Sequence, residues 1–313
     1  MKMKFGSKSL ILVLAAGAAL VLSSCGGGGG GTNTGTNTGA TGLMSGRVTK
    51  GPVGGATVTA YTINSNGTLG PMIGSAVTDS MGNFVMTVSP HTGPVMVQMS
   101  GGSYTDEAMG SMMLMHSGDI MTSVIPAITT GGTMTGIQVS PLTSMAQVVA
   151  QHMAGLMTAA NITAANNAVG NYFLVNDILH TTPMDPTVVG SGAGASKDEK
   201  DYGMAIAAMS QEAKDLGMPQ SSGMVSVMML DASDGIMNGM MGATTISMGG
   251  MGGMAGGMMA SSMSATAGTS GLASAMASFM TNTAVNKSGV TTADTDMVAL
   301  MTKLNSAATQ TIQ

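Results

Sequence analysis

Tryptophan is absent from this sequence, phenylalanine and tyrosine number four each, and cysteine occurs once. With so few flat rings there is little on which a sugar could stack. A single cysteine excludes an internal disulfide and any metal site built on several thiolates. Charge is scarce as well: Lys and Arg total 10, Asp and Glu total 15, and the net charge is −5. Binding to nucleic acid needs a basic surface that neutralises phosphates, so that class of partner is excluded. His91, His116, His152 and His180 are scattered, with no HxH or HxxxH pair, which argues against zinc. His152 lies beside an apolar helix face and reads as a satisfied core residue. No Gly-x-Ser-x-Gly elbow stands between a strand and a helix. No acid–base or nucleophile constellation is visible, so the chain reads as non-enzymatic.

What the chain has in excess is glycine, 47 residues, and methionine, 37. Its ends are not alike. Lys2, Lys4 and Lys8 precede an almost unbroken apolar run from Leu10 to Leu22, and Cys25 follows two serines. This is the build of a secretory signal peptide. The run is too short to span a bilayer, which takes roughly 20 apolar residues. The stretch Leu22-Ser23-Ser24-Cys25 resembles the lipobox of bacterial lipoproteins. The resemblance implies recognition of Leu22, Ser23 and Ser24 by the signal peptidase, cleavage after residue 24, and a diacylglyceryl group on the Cys25 sulfur. Acyl chains contribute about 0.8 kcal/mol per buried CH2, and two or more anchor stably. Gly26 is not the Asp that retains such proteins at the inner membrane, so the expected address is the outer membrane. Loss of the three lysines leaves 7 basic against 15 acidic residues, a mature charge of −8.

Residues 26–42 are Gly, Thr, Asn and Ala and read as a flexible linker. From Leu43 the pattern turns to short alternating runs. Strands are expected at Ser45–Val48, Ile73–Thr78, Phe84–Val88 and Gly93–Met99, a turn and a strand within Val53–Tyr61 with Val58 and Ala60 on one face, and turns at Asn64–Gly67 and Asp79–Asn83. Further strands are expected within 109–140, and the whole argues an antiparallel sandwich over 43–140.

The runs Gly46-Arg47-Val48, Gly51-Pro52-Val53-Gly54-Gly55-Ala56-Thr57-Val58 and Thr78-Asp79-Ser80-Met81-Gly82-Asn83-Phe84 resemble the carboxypeptidase regulatory-like (transthyretin-like) domain over residues 44–103. That resemblance implies a prealbumin-type β-sandwich without catalytic residues, used as a binding or spacer module. Surface proteins or glycans are the partners it implies.

Residues 141–313 read as an all-α domain, so the expected class is α+β. Ser140 suits a helix cap and Pro141 the first helical position. Leu142, Met145, Val149, Met153 and Leu156 follow at helical spacing. Asn161 is the expected cap of a second helix with Ile162, Ala165, Val169 and Tyr172 on one face. Residues 181–196 form a loop; Lys197–Gly217, Met224–Leu230, Leu272–Met280 and Ala293–Ser306 are further helices. A low-complexity Gly/Met insert occupies 240–270 and is expected to be disordered or loosely packed.

Three patterns carry candidate chemistry. Met109, Met112 and Met115 recur every third residue, with His116 adjacent, and Met248, Met251 and Met254 repeat that spacing. Thioethers are soft ligands suited to Cu(I) or Ag(I). Equally, Met fills cores, as expected for Met145, Met153 and Met209, and exposed Met is reversibly oxidised. Asp231-Ala232-Ser233-Asp234-Gly235 faintly resembles a Ca²⁺ loop, but no terminal bidentate carboxylate follows, and a helix end with a turn is the simpler reading. Gly190-Ser191-Gly192-Ala193-Gly194-Ala195 fits a loose dinucleotide pattern without the strand it needs, and reads as a linker.

The sequence thus leads to a lipid-anchored outer-membrane protein with a non-catalytic binding or structural role and no resident cofactor. The alternative is an envelope protein that binds Cu(I) through methionine.

Overall fold

A strand turns successive side chains to opposite faces, and burial alternates at every position of Asn83–Val88, with Phe84, Met86 and Val88 inward. The computed structural model describes residues 39–64, 66–115, 118–246, 268–306 and 311–312. Leu22, Ser23, Ser24, Cys25, His116, Met248, Met251 and Met254 lie outside the described residues, as does most of the 240–270 insert.

The fold is α+β. Nine strands come first: β1 (Gly42–Val48), β2 (Thr57–Ile63), β3 (Leu69–Val77), β4 (Asn83–Val88), β5 (Gly93–Ser100), β6 (Ser103–Thr105), β7 (Met112–Leu114), β8 (Ile120–Ile128) and β9 (Thr133–Val139). One sheet has the order β4-β1-β9 and another the order β3-β2-β5-β8, while β6 and β7 form a separate hairpin. The expected wholly antiparallel pairing is corrected at one place, because β1 and β9 run parallel. β9 joins β1 only after the seven intervening strands β2 to β8. Gly46 makes that pairing possible. A Cβ there would sit 1.9 Å from the Ile137 carbonyl oxygen and 2.8 Å from the Phe84 ring.

The two larger sheets share one hydrophobic cluster. Met44, Phe84, Met86 and Ile137 enter it from the first, and Val58, Val97, Met99 and Ile125 from the second. On the other side of β5 and β8, Met96 and Val124 belong to the helical cluster instead. Helices α1 (Pro141–His152) and α2 (Ala159–Tyr172) cover this side, and Asn166 donates to the Val124 carbonyl at 3.1 Å. Thr38–Gln313 is one compact unit.

Ser140 caps α1 as expected, in a reciprocal box with Thr143, and Pro141 occupies the first turn. The helix then stops short of the predicted Leu156, which adopts a left-handed φ of 58°. Thr158, not Asn161, caps α2. Asn161 reaches back instead, donating to the carbonyls of Ala154 and Leu156. That side chain satisfies the frayed end between the helices, a role that spacing alone does not distinguish from a cap. His152 is exposed rather than a core residue.

The remaining helices are α3 (Lys197–Asp215), α4 (Ser222–Ala232), α5 (Gly268–Thr281) and α6 (Thr295–Ser306). Ser196 and Glu199 form a capping box on α3. Tyr202, Ile206, Met209 and Ala213 point into the helical cluster, as their spacing predicts. The start of the low-complexity insert is structured: β10 (Met240–Met241) and β11 (Thr244–Thr245) pair, and Ile246 is buried beside them.

Candidate functional site: a buried lysine among carboxylates

Lysine is almost never fully buried unless paired. Lys50 has a relative exposure of 0% and Glu107 of 2%. The turn carrying Lys50 follows β1 and closes through a Thr49–Pro52 bridge. Gly51 sits there at φ 59°, and a Cβ on it would meet the Thr105 carbonyl oxygen at 2.4 Å. Glycine therefore lets the turn press against β6.

The facing turn joins β6 to β7. Asp106 organises it: its Oδ1 accepts from the backbone N–H of Ala108 at 3.0 Å and of Met109 at 2.9 Å. Lys214 on α3 donates to the Ala108 carbonyl at 2.8 Å and holds the turn against the helices.

Lys50 Nζ donates to Glu107 Oε2 at 3.0 Å and to Ser221 Oγ at 3.0 Å, and also to Ser210 Oγ. Ser210 Oγ in turn donates to Glu107 Oε2 at 2.5 Å, and Ser221 Oγ donates to Asp106 Oδ2. The Tyr104 ring lies 5.3 Å from the ammonium, and its hydroxyl is 3.1 Å from Ser221 Oγ. Ser221 precedes α4 but makes no side-chain cap bond, because its hydroxyl is committed to this cluster.

Burial pushes the Glu107 carboxyl up, against the pull of Lys50. Burial pulls the Lys50 amine down, but Glu107, Tyr104 and Asp106 outweigh it and the net direction is up. Both directions favour holding a proton. In the cluster Glu107 Oε2 accepts from Lys50 and Ser210, while the oxygens of Asp106 accept from two backbone amides and Ser221.

Serine beside a lysine amine is the raw material of a nucleophile. Here Ser210 and Ser221 are each 0% exposed, and neither lines the narrow cleft that reaches Glu107 between residues 49–52 and 183–186. Both hydroxyls are buried among the described residues.

The methionine set expected at the β6–β7 hairpin is divided. Met109 and Met112 are exposed, at 38% and 75%, whereas Met115 is buried in the sheet cluster. Among the described residues, no three His, Cys, Asp or Glu side chains converge on a metal-sized site. In the Asp231 loop, Asp231 Oδ1 accepts from the amides of Asn238 and Gly239, and Asp234 from those of Ile236 and Gly242. These carboxylates close the loop on itself, which is the turn reading. Gly190 and Gly192 donate to the carbonyls of Lys287 and Ser288, and a Cβ on Gly192 would meet Val290 at 2.5 Å. Close packing of two chain segments accounts for that glycine.

Sequence reading passed over Lys50, Ser210 and Ser221. The available signal was isolation: between Arg47 and Lys197 the only basic residue is Lys50, and Asp106-Glu107 is the one adjacent acidic pair in that span. The chain matches no family model, and no curated protein matches it.

Proposed function

We propose that this chain is a lipid-anchored protein of the cell envelope, held at the outer membrane through Cys25, with a non-catalytic binding or structural role. One observation carries the reading: a basic start at Lys2, Lys4 and Lys8, the apolar run Leu10–Leu22, and the lone cysteine placed directly after Ser23-Ser24. Among the described residues no helix is long and apolar enough to cross a membrane. In this reading the two larger sheets are the transthyretin-like sandwich. Their shared cluster supports that assignment, and the partner is a surface protein or glycan. The test is palmitate labelling in a bacterium that processes lipoproteins. The wild-type chain is expected to take label and partition with the outer membrane. Cys25→Ala is expected to do neither, and undiminished labelling of that variant refutes the anchor.

The exposure of Met109 and Met112 on one hairpin favours a second reading, capture of Cu(I) by thioethers. Titration of the full chain with Cu(I) under reducing conditions decides it. Affinity no better than that of free methionine dismisses it.

A further inference from the structure

Lys50 and Glu107 come from turns 57 residues apart and meet with both side chains buried. An ion pair in such a place is a weak stabiliser, because desolvating two charges offsets their attraction. An amide in the same place removes both charges and keeps the connection. The charges around Lys50 hold its proton in place, so amide formation there depends on a base in hydrogen-bonded contact with the amine. The amine must lose a proton, and the carboxyl must be neutral. A hydrogen-bonded path leads from Lys50 Nζ through Ser221 Oγ to Asp106 Oδ2, a base that stands apart from the reacting carboxyl. Ser210 bridges Nζ and Glu107 Oε2, so it holds the two reacting groups together. Burial favours the neutral form of Glu107.

We propose that Lys50 and Glu107 join in an intramolecular isopeptide bond. The ammonium gives one proton to Asp106 by way of Ser221. The neutral Nζ attacks Cδ of the protonated Glu107 carboxyl, and the new C–N bond forms. The Cδ–O bond of the carboxylic hydroxyl breaks, and that hydroxyl leaves as water with one proton from the nitrogen. An amine and an acid give an amide and water, with no oxidant or further reactant. Glu107 lines the cleft between residues 49–52 and 183–186, which has room for about one water and gives the product an exit. Holding both groups in contact replaces a bimolecular encounter with an intramolecular one, which favours the step strongly. Asp106 is a positioning and proton-accepting residue in this scheme, and it is not consumed.

The experiment is peptide mass spectrometry on the full chain carrying Cys25→Ser, purified folded, then denatured and digested with a protease of broad specificity. The expected product is a branched peptide joining Lys50 to Glu107, lighter by one water than its two arms combined. Lys50 recovered only in linear peptides with a free ε-amine overturns the proposal, and this reading needs no variant to fold. Glu107→Gln offers an amide in place of the acid. Its expected product is the same branched peptide, formed with loss of ammonia. Asp106→Asn keeps both reacting groups and removes the base. Its expected effect is a smaller branched fraction at equal incubation, and an unchanged fraction overturns the role given to Asp106.

Discussion

Glu212 on α3 and Asp231 on α4 each keep one buried carboxylate oxygen, Oε2 and Oδ2, without a hydrogen-bond partner. Burial first, then repulsion from Asp215 and Asp231, pushes the Glu212 carboxyl up to about 7. Burial pushes Asp231 up to about 6, against the backbone amides of Gly239, Asn238 and Met240.

The first prediction follows from those two groups. A carboxyl whose folded value is raised destabilises the fold once it is forced to ionise. Stability linked to Glu212 is therefore complete below about pH 4.5 and is lost as pH rises toward about 7. The loss is on the order of 3 kcal/mol. Glu212→Gln is expected to melt higher than wild type at pH 8 and to differ little from it at pH 4. Thermal unfolding of the two proteins across that range checks it, since titrating groups remote from Glu212 cancel in the difference. Equal gaps at both pH values contradict it.

A second prediction concerns backbone contact. Gly203 lies inside α3, and a Cβ there would sit 2.0 Å from the Met184 carbonyl oxygen. Gly203→Ala is expected to cost about 1–3 kcal/mol or more, since neither backbone segment can yield cheaply. Gly118 has open space around its Cβ direction, and Gly118→Ala is the control expected to be near neutral. Urea denaturation midpoints of both variants measure the contrast.

Tyr202 on α3 ties the helices to the end of β9. Its hydroxyl is 2.5 Å from Ser140 Oγ and donates to the Ile178 carbonyl at 3.0 Å. Removing it leaves buried acceptors unmatched. Tyr202→Phe is expected to cost roughly 1–3 kcal/mol, and Ser140→Ala about 1 kcal/mol through loss of the α1 cap. The double variant is expected to cost less than the two single costs together, because both remove the same contact. Strict additivity in chemical denaturation rules out the coupling.

A fourth prediction separates solvated from buried pairing. Lys200 on α3 reaches Asp294 at 3.1 Å and Asp296 at 2.7 Å, where α6 begins. These groups keep access to water, so their attraction is screened by salt. Lys200→Ala is expected to lower the melting temperature in dilute buffer and to match wild type at high salt. A deficit that persists at high salt shows that the packing of the lysine stem, not its charge, is what matters.

Local signals were legible where one side chain decides one piece of backbone. Ser140-Pro141 announced α1, the spacing of Tyr202, Ile206, Met209 and Ala213 announced α3, and the run Phe84–Val88 after a turn announced β4. Partners distant in the chain were not legible. Nothing near Leu43 or Thr133 encodes that β1 and β9 lie side by side, because their pairing depends on everything between them. Lys50, Glu107, Ser210 and Ser221 show the same limit: each belongs to a different element, and their spacing in sequence carries no common period. Asn161 misled because the same amide that caps a helix can satisfy loop carbonyls.

The position of β1 has a mechanical consequence. It is flanked by β4 on one side and β9 on the other, and hydrogen bonds run along most of its length. Tension applied through the segment ahead of Gly42 is directed along the strand, so those bonds share the load in shear and do not open one at a time. Two residues beyond the end of β1 the chain reaches Lys50, which is fastened to a second turn and to two helices. A tug from the amino-terminal side thus meets the paired β1 strand and then the Lys50 contacts.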